Sequence, residues 1–207
     1  VFFAEREAPK VEGLTAAPRA VARVGVIGGG LMGSGIAAAC ADAGLEVQLV
    51  ETDAASAARA AARLDDLYGR QVKSGRLGEA AKADRLGRIA CGADFGVLSG
   101  VDLVIEAVFE DLAVKQEVFR RLDGVARPGA LLATNTSYLD VDAIAAVTAR
   151  PGDVCGLHFF SPANVMRLLE GVRGAATADE ALATALALVK RLGKLAVVAL
   201  VGEGFIG

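Results

Sequence analysis

His158 is the one histidine of the chain, and it ends an apolar run in Gly156-Leu157-His158-Phe159-Phe160-Ser161-Pro162. Glu170 follows inside Arg167-Leu168-Leu169-Glu170-Gly171, an otherwise apolar stretch where an unpaired carboxylate would be costly to bury. An unplaced histidine is as a rule a hydrogen-bonded core group, but a carboxylate within reach changes its chemistry. Bonding to one ring nitrogen fixes the tautomer and raises basicity, so the other nitrogen can take a proton from a substrate hydroxyl. Cys155, three positions before His158, offers a rival Cys-His nucleophile pair. Residues an odd number apart on one strand point to opposite faces, which puts Cys155 away from the imidazole. A metal site has too few ligands, so none is expected.

Gly28-Gly29-Gly30-Leu31-Met32-Gly33 fits G-x-G-x-x-G between an apolar strand and a run of helix formers, the context in which that motif is informative. Gly28 permits the tight turn, Gly30 lets backbone N–H groups approach a pyrophosphate, and Gly33 allows helix to pack closely on strand. Glu51 ends the next strand, placed to accept bonds from the adenosine ribose hydroxyls, which favours NAD over NADP. Like charges about 4 Å apart repel by about 4 kcal/mol at a surface-like dielectric, so Glu51, with Asp53 nearby, should reject a 2′-phosphate. Asp53 itself reads better as a helix N-cap. Thr134-Asn135-Thr136-Ser137 closes another strand, with Asn135 and Ser137 on one face if the segment stays extended. The competing reading is a strand-end turn with Ser137 capping the next helix. Glu110 and Lys115 on their own read as a solvated i,i+5 pair.

These residues need a frame that gathers strand ends on one edge. The run Val24-Gly25-Val26-Ile27, the glycine turn, helix formers stopping at Gly44, and Val47-Gln48-Leu49-Val50 make a βαβ unit with a right-handed crossover. A long Ala- and Arg-rich amphipathic helix is expected over 54–75, with Leu64, Leu67 and Val72 inward and Arg63, Arg70 and Lys73 outward, then a second short helix. Strand, helix and strand recur at 102–107, 112–122 and 130–133. A short helix at 141–147, apolar runs at 154–160 and 165–172, a helix over 179–192 and a last run at 195–201 follow. Such alternation predicts an α/β, doubly wound Rossmann-type sheet, mostly parallel, with helices on both faces. The folded unit starts near Ala22. Pro9, Gly13 and Pro18 make the stretch before it a linker, and residues 1–10 read as the last turns of a helix with Phe2 and Phe3 unpartnered.

The 207 residues are 54% hydrophobic with a formal net charge of −3, mean hydropathy is +0.46 and the pI about 5.3. That is enough for one sizeable core and offers no basic face for nucleic acid. No apolar run approaches a membrane span, and the N-terminus lacks a signal-peptide layout. Cys40, Cys91 and Cys155 are odd in number and sit among small apolar residues, as thiols do in a reducing, cytoplasmic setting.

Taken in order, the glycine turn at 28–33, Glu106-Ala107-Val108-Phe109-Glu110 with Lys115, Thr134-Asn135-Thr136-Ser137, and 156–162 followed by Leu168-Leu169-Glu170 resemble the L-3-hydroxyacyl-CoA dehydrogenase family over nearly the whole chain. Several separate motifs agree in order, whereas the glycine turn alone indicates only a dinucleotide. The resemblance implies NAD as cofactor, held by Gly28, Gly30, Leu31, Met32, Gly33, Glu51 and Ala107, with Glu110, Lys115 and Asn135 near the nicotinamide and its ribose. It implies His158 as catalytic base, Glu170 as its orienting partner and Ser137 as a contact to the oxygen of a 3-hydroxyacyl-CoA substrate.

Phe2-Phe3-Ala4-Glu5-Arg6 is similar to the linker helix after the enoyl-CoA hydratase domain of bifunctional β-oxidation enzymes, and Ser161 stands where single-function relatives usually carry Asn. The expected organisation is therefore a linker over 1–21, an NAD-binding domain over 22–207, and beyond Gly204-Phe205-Ile206-Gly207 a helical substrate and dimerisation domain that this chain does not include. The parent is expected to be a homodimer or to pair with a thiolase subunit. Two other readings stay open: a non-catalytic NAD(H) sensor in which His158 and Glu170 are structural, and a dehydrogenase of another hydroxy acid.

Overall fold

The computed structural model describes residues 14–200. The helix expected over 1–10 and the segment 201–207 lie outside the described residues. β1 (Arg23–Ile27), α1 (Leu31–Asp42) and β2 (Glu46–Val50) form the expected first unit, followed by α2 (Ala54–Lys73), α3 (Glu79–Gly87) and β3 (Ile89–Gly92). A 3-10 turn (Phe95–Gly100) leads into β4 (Leu103–Glu106), α4 (Leu112–Val125) and β5 (Leu131–Thr134). Then come α5 (Val141–Ala145), β6 (Val154–Phe159), β7 (Leu168–Arg173), α6 (Asp179–Arg191) and β8 (Leu195–Leu200). Among the described residues these strands make one sheet in the order β3-β2-β1-β4-β5-β6-β7-β8. Every neighbouring pair is parallel except β6 and β7. The doubly wound, mostly parallel sheet is thus present, and β3 is the strand sequence reasoning missed.

The strands are apolar on both faces because helices cover both. Val24 and Val26 enter one core with Ile36, Leu49, Leu64 and Tyr68, while Ile27 and Val104 enter a second with Phe119 and Leu122. Each side chain so buried stabilises by about 1.5–3 kcal/mol. Small residues let α1 sink into the sheet, so that Gly33 through Ala41 are buried without a break. On α2 the buried residues are Ala57, Ala60, Leu64 and Tyr68, a helical stripe. Asp53 caps that helix, its carboxylate accepting the Ser56 N–H at 2.8 Å.

Residues 14–22 carry no helix and run against the domain. Arg19 fastens them, its guanidinium 2.6 Å from Asp153 Oδ1 and 3.2 Å from Glu180 Oε2.

Candidate active site

In a parallel sheet the carboxyl ends of the strands share one edge, and the chemistry-bearing residues lie there. The turn after β1 is shaped by its glycines. Gly28 has φ +91°, and a Cβ on Gly33 would lie 1.7 Å from the Gly28 carbonyl oxygen. Nothing stands within 4 Å of a Cβ built on Gly30, so its backbone faces open space. Gly30 is the N-cap of α1 and brings no side-chain hydrogen bond, which leaves the first N–H groups and the helix dipole to meet an anion. A cavity of about 610 Å³ opens here, walled by residues including Gly28, Gly30, Leu31, Met32, Glu51 and Ala107. An uncapped helix start, an open glycine and a carboxylate at one cavity fit a dinucleotide with its diphosphate on the turn. Glu51 Oε1 accepts the Gly29 N–H at 2.7 Å, so the carboxylate expected to meet the ribose also braces the turn. Arg63, expected only to project outward, reaches back from α2 to donate to the Gly29 carbonyl.

β6 and β7 pair antiparallel with His158 directly opposite Glu170. The imidazole Nδ1 lies 2.7 Å from Glu170 Oε2. Glu170 is 1% exposed, and its Oε1 is buried with no hydrogen-bond partner. Leaving a buried carboxylate oxygen unsatisfied costs free energy, and sites that keep such a cost are functional candidates. Phe160 lies beside the imidazole with ring centroids 4.5 Å apart. His158 is not part of the wall of the dinucleotide cavity. Cys155 is fully buried in the opposite core with Leu157 and Phe159, and burial pushes its thiol up to about 12. The Cys-His alternative therefore fails on geometry and on acidity. Among the described residues no three His, Cys, Asp or Glu side chains are grouped to hold a metal ion.

Between these two places lies a charged cluster. Lys115 is fully buried, its Nζ 2.8 Å from Glu106 Oε1 and 3.1 Å from Glu110 Oε2. Glu106 also accepts from Thr134 Oγ1 and from the Val108 N–H, each at 2.7 Å. The solvated-pair reading of Glu110 and Lys115 is thereby overturned, because α4 buries that lysine against the end of β4. Sequence reasoning gave Glu106 no role, although a carboxylate closing the apolar run of β4 signals a buried partner. Glu110 Oε1 accepts from Thr136 Oγ1 and, at 2.7 Å, from the Ser137 N–H. Burial pushes the Glu110 carboxyl up, but the bonds from Thr136 and Ser137 and the Lys115 ammonium outweigh it, holding it below its ordinary value.

β5 ends at Thr134, and the chain bends over residues 137–139. Asn135 Oδ1 accepts the Phe159 N–H at 2.8 Å, which ties the end of β5 to the strand carrying His158. Asp140, not Ser137, caps α5, and Ser137 is exposed.

A doubly wound sheet, a glycine turn facing a dinucleotide-sized cavity, and a histidine–carboxylate pair on the same edge define the coenzyme domain of a dehydrogenase. Residues 23–203 match the family described as "3-hydroxyacyl-CoA dehydrogenase, NAD binding domain". The chain belongs to that family, and its cofactor is NAD. It is 44% identical to a peroxisomal bifunctional enzyme of Danio rerio, over 100% of this chain and 29% of that protein. It is 37% identical to a fatty acid oxidation complex subunit alpha of Vibrio vulnificus, over 99% of this chain and 29% of that one. The chain thus spans under a third of the length of these relatives. Among solved structures, the (S)-3-hydroxybutyryl-CoA dehydrogenase of Ralstonia eutropha superposes with a TM-score of 0.89 at 37% identity, over 91% of this chain and 66% of that one.

Proposed function

We propose that this chain is the coenzyme-binding part of an enzyme that oxidises a (3S)-3-hydroxyacyl-CoA to the 3-ketoacyl-CoA in fatty acid β-oxidation. The observation that carries the reading is the His158 Nδ1 to Glu170 Oε2 contact of 2.7 Å. With the proton on Nδ1, the basic lone pair belongs to Nε2, which accepts the substrate hydroxyl proton, and Glu170 stabilises the imidazolium that results. Ser137 holds the reacting oxygen. Glu110 and Asn135 line the nicotinamide and ribose end, with Lys115 buried behind Glu110 and Glu110 fixing the Ser137 backbone. NAD⁺, when bound, supplies the acceptor for the C3 hydride. In the reverse direction the imidazolium polarises the ketone.

In this reading residues 1–21 are the connection from a preceding domain and 22–207 the NAD-binding domain, with a helical substrate and dimerisation domain supplied beyond it. The domain works inside a homodimer or beside a thiolase subunit. Its setting is reducing and cytoplasmic, supported by three free thiols; no helix among the described residues is long and apolar enough to cross a membrane. The chain should bind NADH while turning over acetoacetyl-CoA very poorly, and a version extended through the helical segment of its relatives should be active. In that longer protein His158→Gln should lower kcat by about 10²–10⁴-fold. Unchanged turnover would favour a coenzyme sensor in which His158 is structural.

A further inference from the structure

The dinucleotide cavity has two kinds of wall. Gly28, Gly30 and Glu51 line it, and so do Ile27, Val50, Phe95 and Val118, which pack in one hydrophobic cluster, with Arg121 over Phe95. α4 builds that wall, since Val114, Val118 and Arg121 stand one or two turns apart on a single helix face. The adjoining face, Lys115, Phe119 and Leu122, is buried. The neighbouring Arg120 engages Glu117 on the helix surface. Arg121 behaves otherwise: its guanidinium carbon lies 4.1 Å from the centre of the Phe95 ring. That separation is a close cation–π contact, which holds the planar group in one orientation at the cavity's apolar wall.

We propose that Arg121, steadied by Phe95, is the adenine-clamping residue of this domain and stacks its guanidinium plane on the base of the bound coenzyme. The inference rests on the NAD reading of the cavity. If the diphosphate meets the glycine turn and the ribose meets Glu51, the base extends to the Phe95 and Arg121 wall. The ligand group suited to that wall is flat, weakly polar on its faces and electron-rich, which describes a purine. A guanidinium stacks on such a face while its in-plane N–H groups stay solvated at the cavity rim. An aliphatic side chain could close the same wall, but it would not supply the cation–π attraction. The arrangement also separates the two charges that select the coenzyme, with Glu51 at the sugar and Arg121 at the base.

The test uses this chain with three ligands: NADH, ADP-ribose and reduced nicotinamide mononucleotide. Arg121→Met should weaken NADH and ADP-ribose alike, by about tenfold given the usual worth of base stacking, and leave the mononucleotide unchanged. Phe95→Leu, which removes the ring and keeps the arginine, should weaken the same two ligands by a smaller factor. Arg121→Lys should restore less than half of the lost affinity, since an ammonium keeps the charge and loses the plane. ADP-ribose binding unaffected by Arg121→Met would overturn the proposal. So would full, steeply salt-dependent rescue by lysine, which would make position 121 a phosphate contact. Wild-type chain that binds neither NADH nor ADP-ribose would instead sink the coenzyme reading, and this inference with it.

Discussion

Lys115→Met tests whether the charged cluster at the end of β4 holds the domain together. At an effective dielectric of about 20, the ammonium's contacts at 2.8 Å with Glu106 and 3.1 Å with Glu110 are worth about 6 and 5 kcal/mol in Coulomb energy. Desolvating the lysine costs several kcal/mol, so the net loss on removing one partner of a buried pair falls at about 3–5 kcal/mol. Thr134 and the Val108 N–H still donate to Glu106 in the variant, which places the expected cost near the lower end, about 3 kcal/mol. In a chain of 207 residues that lowers Tm by about 6–12 °C. Urea unfolding followed by circular dichroism reads the loss directly. Adding Glu106→Gln to Lys115→Met should recover at least half of it, because the stranded charge is gone. A single variant within about 1 kcal/mol of wild type, or a double variant worse than the single, would refute the reasoning.

Gly33→Ala forces a methyl group against the Gly28 carbonyl, so the turn must open; NADH affinity by calorimetry should fall by about 10²-fold, or 2.7 kcal/mol. Asp53, whose carboxyl is held down to about 2 by bonds from Ser56 and Thr52, and Glu110, also lowered, are depressed in the folded state. Their contribution to stability is therefore complete above about pH 5, past the ordinary carboxylate range, and is lost progressively as pH falls below it, down towards 2 for Asp53, so an Asp53→Asn, Glu110→Gln chain should show a flatter acid limb in urea titrations. Thiol labelling of the native chain should spare Cys40 and Cys155, each buried and pushed up to about 12. It should modify Cys91, which is partly exposed, first; rapid labelling of Cys155 would revive the nucleophile alternative.

Much of the domain could be read from residue order because local chemistry and fold agree there. The glycine turn is legible since only glycine tolerates both the φ of Gly28 and the backbone contact at Gly33. The pairing of His158 with Glu170 is legible in outline, as a lone carboxylate in an apolar strand must meet something. Their direct opposition comes from the antiparallel register of β6 and β7, which no short-range signal announces. β3 was invisible for another reason: Ile89–Gly92 is a short, half-exposed edge strand without alternation. The Glu106–Lys115 contact joins a strand end to the helix beyond it, and Arg121 meets Phe95 across a similar gap. Such contacts depend on how α4 lies on the sheet, which residue spacing does not reveal.

On the proposed function, Glu170 fixes the tautomer of His158 so that Nε2 serves as the base. A chain with one histidine permits a direct measurement, since its two imidazole ¹⁵N resonances belong to a single ring and are told apart by their couplings to Hε1 and Hδ2. At a pH where the ring is neutral, Nδ1 should carry the proton and Nε2 the lone pair, both signals should move when NADH is added, and Glu170→Gln should mix the tautomers. A proton resident on Nε2, with a spectrum indifferent to both NADH and Glu170→Gln, would contradict the account.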